Sequence, residues 1–134
     1  MMISTKGRYS LRVMIDLAEQ RMETYVPLKD IVKRQGLSLK YLETIMTTLS
    51  KSGLVMAAHG KGGGYKLKKA PEEYTIGEIL RVTEGSIVPA ACAECVGEDC
   101  DRKKDCRTRP FWEKLNGLVV DCLDNTTLAD LMQE

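Results

Sequence analysis

Four cysteines, Cys92, Cys95, Cys100 and Cys106, fall within 15 residues in the spacing C-x2-C-x4-C-x5-C, with Glu94, Glu98, Asp99, Asp101 and Asp105 interleaved. Thiolates are nucleophiles and soft metal ligands, and four of them on one irregular stretch can turn inward onto a single centre. Three chemistries compete. Structural zinc usually pairs two C-x2-C knuckles across a longer spacer, and only Cys92/Cys95 is such a knuckle. An iron–sulfur cluster takes the same ligands and tolerates irregular spacing. A dithiol switch at Cys92/Cys95 is the third, with Lys103 and Lys104 lowering the thiol pKa values. In a cytosolic protein this clustering favours a metal or redox site over a disulfide framework. The fifth cysteine, Cys122, lies apart on an apolar run and reads as a core or interface residue.

A second group of residues suits a polyanion. Ser38, Lys40, Tyr41, Glu43, Thr44, Thr47 and Thr48 precede a glycine-rich stretch, Gly60-Lys61-Gly62-Gly63-Gly64, flanked by His59, Lys66, Lys68 and Lys69. Lys and Thr can reach phosphates or base edges, and a Glu can accept from the exocyclic amine of cytosine. A solvated helix face is the competing explanation for some of them. The glycines could also cradle a nucleotide, but the G-x-x-x-x-G-K-[ST] spacing is missing, so that site is rejected. His59 reads as a polar turn residue or minor-groove contact before a metal ligand. Charge supports the division: residues 1–70 hold 13 Lys and Arg against 5 Asp and Glu, whereas residues 71–134 hold 7 against 14. The net charge of +1 conceals a basic half joined to an acidic one.

The elements that must position these groups follow from periodicity. Leu11, Met14, Ile15 and Ala18 make a helix over 8–21, with Arg12, Asp16 and Glu19 on its other side. Pro27 opens a second helix that Gly36 ends, carrying Leu28, Ile31 and Val32 inward. Ser38 caps a third, whose buried stripe is Leu39, Leu42, Met46 and Leu49. After Gly53, residues 54–58 and 65–68 read as two strands joined by the glycine turn. A hairpin directly behind a helix-turn-helix is a winged helix. Thr75-Ile76-Gly77-Glu78 is a capping box for a fourth helix ending at Gly85. Periodicity then lapses over 86–107. Beyond it Phe111, Trp112, Leu115, Leu118, Val119, Cys122 and Leu123 share one face of a helix too apolar to stand alone, and Leu128 and Leu131 sit on a short last helix. The expected fold is mainly α with a small β-hairpin wing: a winged helix-turn-helix domain over 1–85, a cysteine-rich sensor loop over 86–107, and a dimerisation helix with a short final helix over 108–134. At 134 residues and 43% hydrophobic the chain suits a modest core. No apolar run reaches the ~20 residues of a membrane span and no secretion signal is visible, so a cytoplasmic location is expected.

Ile3-Ser-Thr-Lys-Gly-Arg-Tyr9, Leu39-Lys-Tyr-Leu-Glu43, Gly53-Leu-Val55, Gly62-Gly-Gly-Tyr65, the loop cysteines, Trp112 and Thr127-Leu128 together resemble the Rrf2 family of bacterial winged-helix transcription regulators over nearly the whole chain. The resemblance implies a homodimer that pairs through 108–125 and sets two recognition helices about 34 Å apart in successive major grooves of an inverted-repeat operator in double-stranded DNA. It puts Lys40, Tyr41 and Glu43 in the recognition helix. His59 and Gly60 fall on the wing where an Arg commonly enters the minor groove. Arg8, on the first helix, joins Lys61 among the DNA-contacting candidates. Family members that carry a cluster use three cysteine ligands, which Cys92, Cys100 and Cys106 match. Their fourth ligand is a His where this chain has Arg109, or a first-helix carboxylate where it has Arg8. Cys95 is the substitute within the chain, and an external ligand is the alternative. The resemblance thus implies an iron–sulfur cluster, [2Fe–2S] ahead of [4Fe–4S], with zinc or no metal as alternatives. A metal-free repressor controlled by a partner protein or small molecule is the rival function. An enzyme is not expected, because a thiol redox enzyme at Cys92/Cys95 needs a substrate pocket and a thioredoxin-like βαβ setting that the sequence lacks.

Overall fold

The computed structural model describes residues 2–20, 23–90 and 105–133. Helix α1 spans Thr5–Glu19, three residues ahead of the expected start, because the Ser4 hydroxyl accepts from the Gly7 amide at 3.1 Å and caps it. Helix α2 (Leu28–Gln35) ends where Gly36 takes φ 67°, and α3 (Leu39–Lys51) starts where the Ser38 hydroxyl accepts from the Tyr41 amide. Strands β1 (Val55–Ala58) and β2 (Gly64–Leu67) pair antiparallel, with Val55 opposite Leu67 and Ala58 opposite Gly64. Val26 pairs with the other edge of β2: its amide and carbonyl exchange bonds with Tyr65 at 2.7 and 2.9 Å. The close approach that the glycine turn permits is therefore to the chain itself, since a Cβ on Gly64 would strike the Val26 carbonyl.

A 3-10 turn (Pro71–Glu73) leads into α4 (Ile76–Glu84), and α5 (Arg109–Asn125) and α6 (Leu128–Met132) complete the chain. The Thr75 hydroxyl caps α4 by accepting from the Glu78 amide, but the Glu78 carboxylate turns to Lys69 instead of closing the box. Helix α1 is the central element, touching α2, α3, α4, α6 and β2. Val13, Met14 and Leu17 from it meet Ile31, Leu42, Ile45, Met46, Leu49, Leu54, Tyr74 and Leu128 in the main core. Each such side chain contributes roughly 1.5–3 kcal/mol by leaving water. Leu128, at the far end of the chain, is thus part of the core of the amino-terminal module.

Two side chains depart from expectation. Leu39 is 50% exposed rather than core, and Ile45 takes its place on the α3 stripe. Leu39 is the first residue of the helix, where the chain is still arriving from the surface. Asp16, expected on the solvent side of α1, is buried, because Arg34 grips both its oxygens at 2.7–3.2 Å and Gln35 Nε2 donates at 2.8 Å. Arg12 closes the network onto the Gln35 carbonyl and side-chain oxygen. A buried carboxylate is tolerated only when paired and hydrogen-bonded like this. The network ties α1 to the end of α2 just before the turn into α3.

Candidate nucleic-acid interface and sensor segment

Lys40, Glu43, Thr44, Thr47 and Thr48 repeat at i, i+3, i+4, i+7 and i+8, so α3 carries them on one face, where they line a shallow open groove. The three threonine hydroxyls donate back to the carbonyls of Lys40, Glu43 and Thr44 at 2.8–3.2 Å. That fixes their rotamers and leaves methyl groups and oxygen lone pairs as what they offer a ligand. Lys40 and Glu43 are the exposed charges of this face. Such a surface, one cation, one carboxylate and an ordered row of threonines on the second helix of a helix-turn-helix, offers donors and acceptors of the kinds that base edges in a major groove can meet.

At the amino end of α3, Tyr41 is half-buried, its ring edge-on to Tyr9 at 6.0 Å, and the Arg12 guanidinium lies 5.0 Å over Tyr9. Ser38 is exposed but engaged as the cap. Arg8 is exposed on the first turns of α1 and donates to Thr5 Oγ1 at 3.2 Å. His59, Gly60 and Lys61 are exposed at the tip of the β1–β2 hairpin. Gly60 takes φ 85°, and a Cβ there would meet open space. Lys66 rests over the Tyr25 ring at 4.7 Å. Lys69, expected to face phosphate, instead pairs with Glu78 at 3.2 Å and stacks over Tyr74, bracing the wing. The groove therefore unites five of the expected residues, Lys40, Glu43, Thr44, Thr47 and Thr48; the wing tip is a separate element.

Of the thiol candidates, Cys92, Cys95 and Cys100 lie outside the described residues. Cys106 is half-buried two residues before the Thr108 that opens α5. Its Sγ is 3.3 Å from Thr108 Oγ1. That contact first, then the Thr108 and Arg109 amides and the Arg109 charge, holds the thiol below its usual range. A helix N-terminus favours negative charge for this reason. Arg109, at the position where a His ligand was considered, donates Nε to Glu113 at 2.7 Å. Cys122 is exposed on α5, which removes the core half of its expectation. No group of three metal-ligating side chains assembles among the described residues.

Two features escaped the sequence. The Asp16–Arg34 pair is one. Tyr74 is the other: it is fully buried and its hydroxyl makes three backbone bonds at the base of the wing. One signal for Tyr74 was available. It immediately precedes the Thr75 cap and packs in the same cluster as Ile79, four residues into α4, the arrangement of a hydrophobic staple.

Comparison with known proteins bears on this arrangement. The model of the Rrf2 family, described as iron-dependent transcriptional regulators, matches residues 3–134. The chain belongs to the Rrf2 family. The HTH-type transcriptional regulator IscR of Erwinia tasmaniensis is 39% identical over 133 residues, 98% of this chain and 79% of that protein. CymR, the global cysteine regulator of B. subtilis, superposes with a TM-score of 0.81 at 41% identity, covering 99% of this chain and 97% of its own. IscR of T. potens superposes at 0.77 with 38% identity, covering 99% and 87%. This Rrf2 protein is a winged-helix, DNA-binding transcriptional regulator, as its helix-turn-helix, hairpin and family together require. Among its described residues no helix is long and apolar enough to cross a membrane.

Proposed function

We propose that this regulator works in the cytoplasm as a homodimer on an inverted-repeat operator, and that the state of its cysteine segment sets operator affinity. Helix α3 would read bases through Lys40, Glu43, Thr44 and Thr47, with Ser38 and Tyr41 at its amino end. His59, Gly60 and Lys61 on the wing and Arg8 on α1 would add groove and phosphate contacts. The single observation that carries the reading is the open α3 face, an exposed Lys40 and Glu43 set among threonines already satisfied by their own helix.

Cys92, Cys100 and Cys106 would hold an iron–sulfur cluster, [2Fe–2S] ahead of [4Fe–4S], with Cys95 or an external ligand fourth. Cys106 fits that use, since its surroundings stabilise the thiolate that ligation needs. When bound, such a cluster would supply a redox-sensitive centre whose state Cys106 would pass to the start of α5. A thiol switch without metal is the second reading, favoured by the likeness to a cysteine regulator at 41% identity. Anaerobic purification with iron, sulfide and zinc assays separates them: iron and sulfide together support the cluster, and zinc alone or no metal removes it. Operator selection from a random duplex library tests the DNA reading. Glu43→Ala should relax preference at one base pair by about 1–3 kcal/mol and leave the others intact. An unchanged selected sequence overturns the role of Glu43.

A further inference from the structure

At the base of the wing one side-chain oxygen ties both strands together. The β1–β2 ladder ends at the Val55–Leu67 pair, and beyond it the Tyr74 hydroxyl takes over. It accepts from the Lys68 and Lys69 amides at 2.9 and 3.1 Å and donates to the Leu54 carbonyl at 2.6 Å. Both strand ends are thereby tied to a single fully buried phenol. Lys69 adds a contact over the ring and an ion pair to Glu78 of α4.

Tyr74 is gripped from the other side by the segment that leaves α5. The Leu128 amide donates to the Tyr74 carbonyl at 2.9 Å, the Ile76 amide donates to the Thr126 carbonyl at 2.9 Å, and Thr75 and Thr127 form an antiparallel bridge. Helix α5 starts three residues after Cys106 and ends one residue before Thr126. At about 1.5 Å per residue it is a rod of roughly 25 Å. Cysteine chemistry stands at one end and the Tyr74 bridge at the other.

We propose that Tyr74 is a positioning residue that transmits the setting of α5 to the wing, so that a change at the cysteine segment alters DNA binding by re-aiming the hairpin. This rests on the sensor reading above and adds its route. A shift of α5 moves the Thr126–Leu128 segment, the backbone bridge carries it to Tyr74, and the phenol carries it to both strands at once. The backbone bridge and the phenol bonds join α5 to both strands in one contiguous path, and the element with two settings that the cysteine segment biases is α5 itself.

The test is Tyr74→Phe in the full chain, which keeps the ring in the core and removes only the hydroxyl. A fluorescent duplex bearing the sequence selected by the wild type is titrated at several salt concentrations, with protein reduced under anaerobic conditions and again after peroxide treatment. The variant is expected to keep its base preference, set by α3. Its affinity should fall about tenfold, its salt dependence should weaken by one to two phosphate contacts, and its ratio of reduced to oxidised affinity should approach one. Purely structural damage would lower affinity in both states and leave that ratio as in the wild type. A variant that keeps the wild-type ratio overturns the proposal, whatever its salt slope. A wild type whose affinity ignores thiol state sinks the sensor reading itself and leaves nothing to transmit. Should the variant fail to fold, hydrogen exchange of the wild type decides: altered protection of the Lys68 and Lys69 amides on oxidation supports the route, and identical protection overturns it.

Discussion

At the scale of single residues, Cys106 is tuned by neighbours rather than by burial. Its thiol sits below the ordinary range because Thr108 and the first amides of α5 stabilise the thiolate, with Arg109 adding charge. The sign follows directly: with the thiolate favoured, reactivity rises with pH through a midpoint lower than an ordinary thiol's. Thr108→Val removes the first of these contacts. In the reduced, metal-free chain, the pH midpoint for iodoacetamide labelling of Cys106, mapped by peptide mass spectrometry, should therefore move upward in the variant. An unmoved midpoint would show that the helix amides and the Arg109 charge suffice without the hydroxyl. The cysteine spacing was legible in the sequence; the thiolate-stabilising setting was not, since it depends on where α5 begins. Asp16 was misread for a related reason. Periodicity assigns a charged residue to the solvent side by default, and Arg34 and Gln35, 18 and 19 residues on, make a buried carboxylate affordable.

At the scale of elements, α2 to α4 were readable because caps and glycines mark their ends: Ser38, Thr75, Gly36 and Gly85 all stand where the chain turns. The Ser4 cap, by contrast, put the start of α1 three residues earlier than its apolar period alone indicates. The setting of α5 against α4 was not readable, because it depends on a missing side chain. A Cβ on Gly77 would fall on the Asp124 carboxylate, 2.8 Å from an Arg81 guanidinium nitrogen and 3.1 Å from the Leu123 Cβ. Replacing Gly by Ala within a helix ordinarily stabilises by about 1 kcal/mol. The Asp124 and Arg81 ends can swing aside, but the Leu123 Cβ moves only with α5, so Gly77→Ala should forfeit that gain and lose about 1 kcal/mol in urea unfolding. The Arg81–Asp124 pair at 2.6 Å should loosen with it. Arg81 holds the Asp124 carboxyl below the usual range, so the pair contributes stability above the unfolded value that is lost as pH falls through the folded one. Both partners are well exposed, and that contribution is no more than about 1 kcal/mol. The variant should accordingly show a shallower acid decline; a wild-type urea midpoint would mean that α5 accommodates the methyl.

For the whole molecule, the charge division and the apolar arc of α5 belong together. The sequence places seven apolar residues on one face of that helix, but the fold covers only one edge of the arc. Val119 and Leu123 pack on Ile76, Leu80 and Ile87, whereas Phe111 and Leu118 remain 58% and 60% exposed. Leu118 and Val119 are about 100° apart around the helix, so one contact cannot cover both. A second copy pairing through the bare edge would hide these side chains and join two basic halves, residues 1–70 at net charge +8 each, on one duplex. Two linked modules gain through effective concentration, by about 10²–10⁴ over one. Leu118→Glu puts a charge on that edge without touching the monomer core. Its mass by light scattering should fall from twice the 15.0 kDa chain to a single chain, with thermal stability of the monomer fold retained. Affinity for a full inverted repeat should fall by about that same factor, while affinity for a half-site stays that of one module. A variant that remains dimeric and binds the full site undiminished places the pairing surface elsewhere than on Phe111 and Leu118.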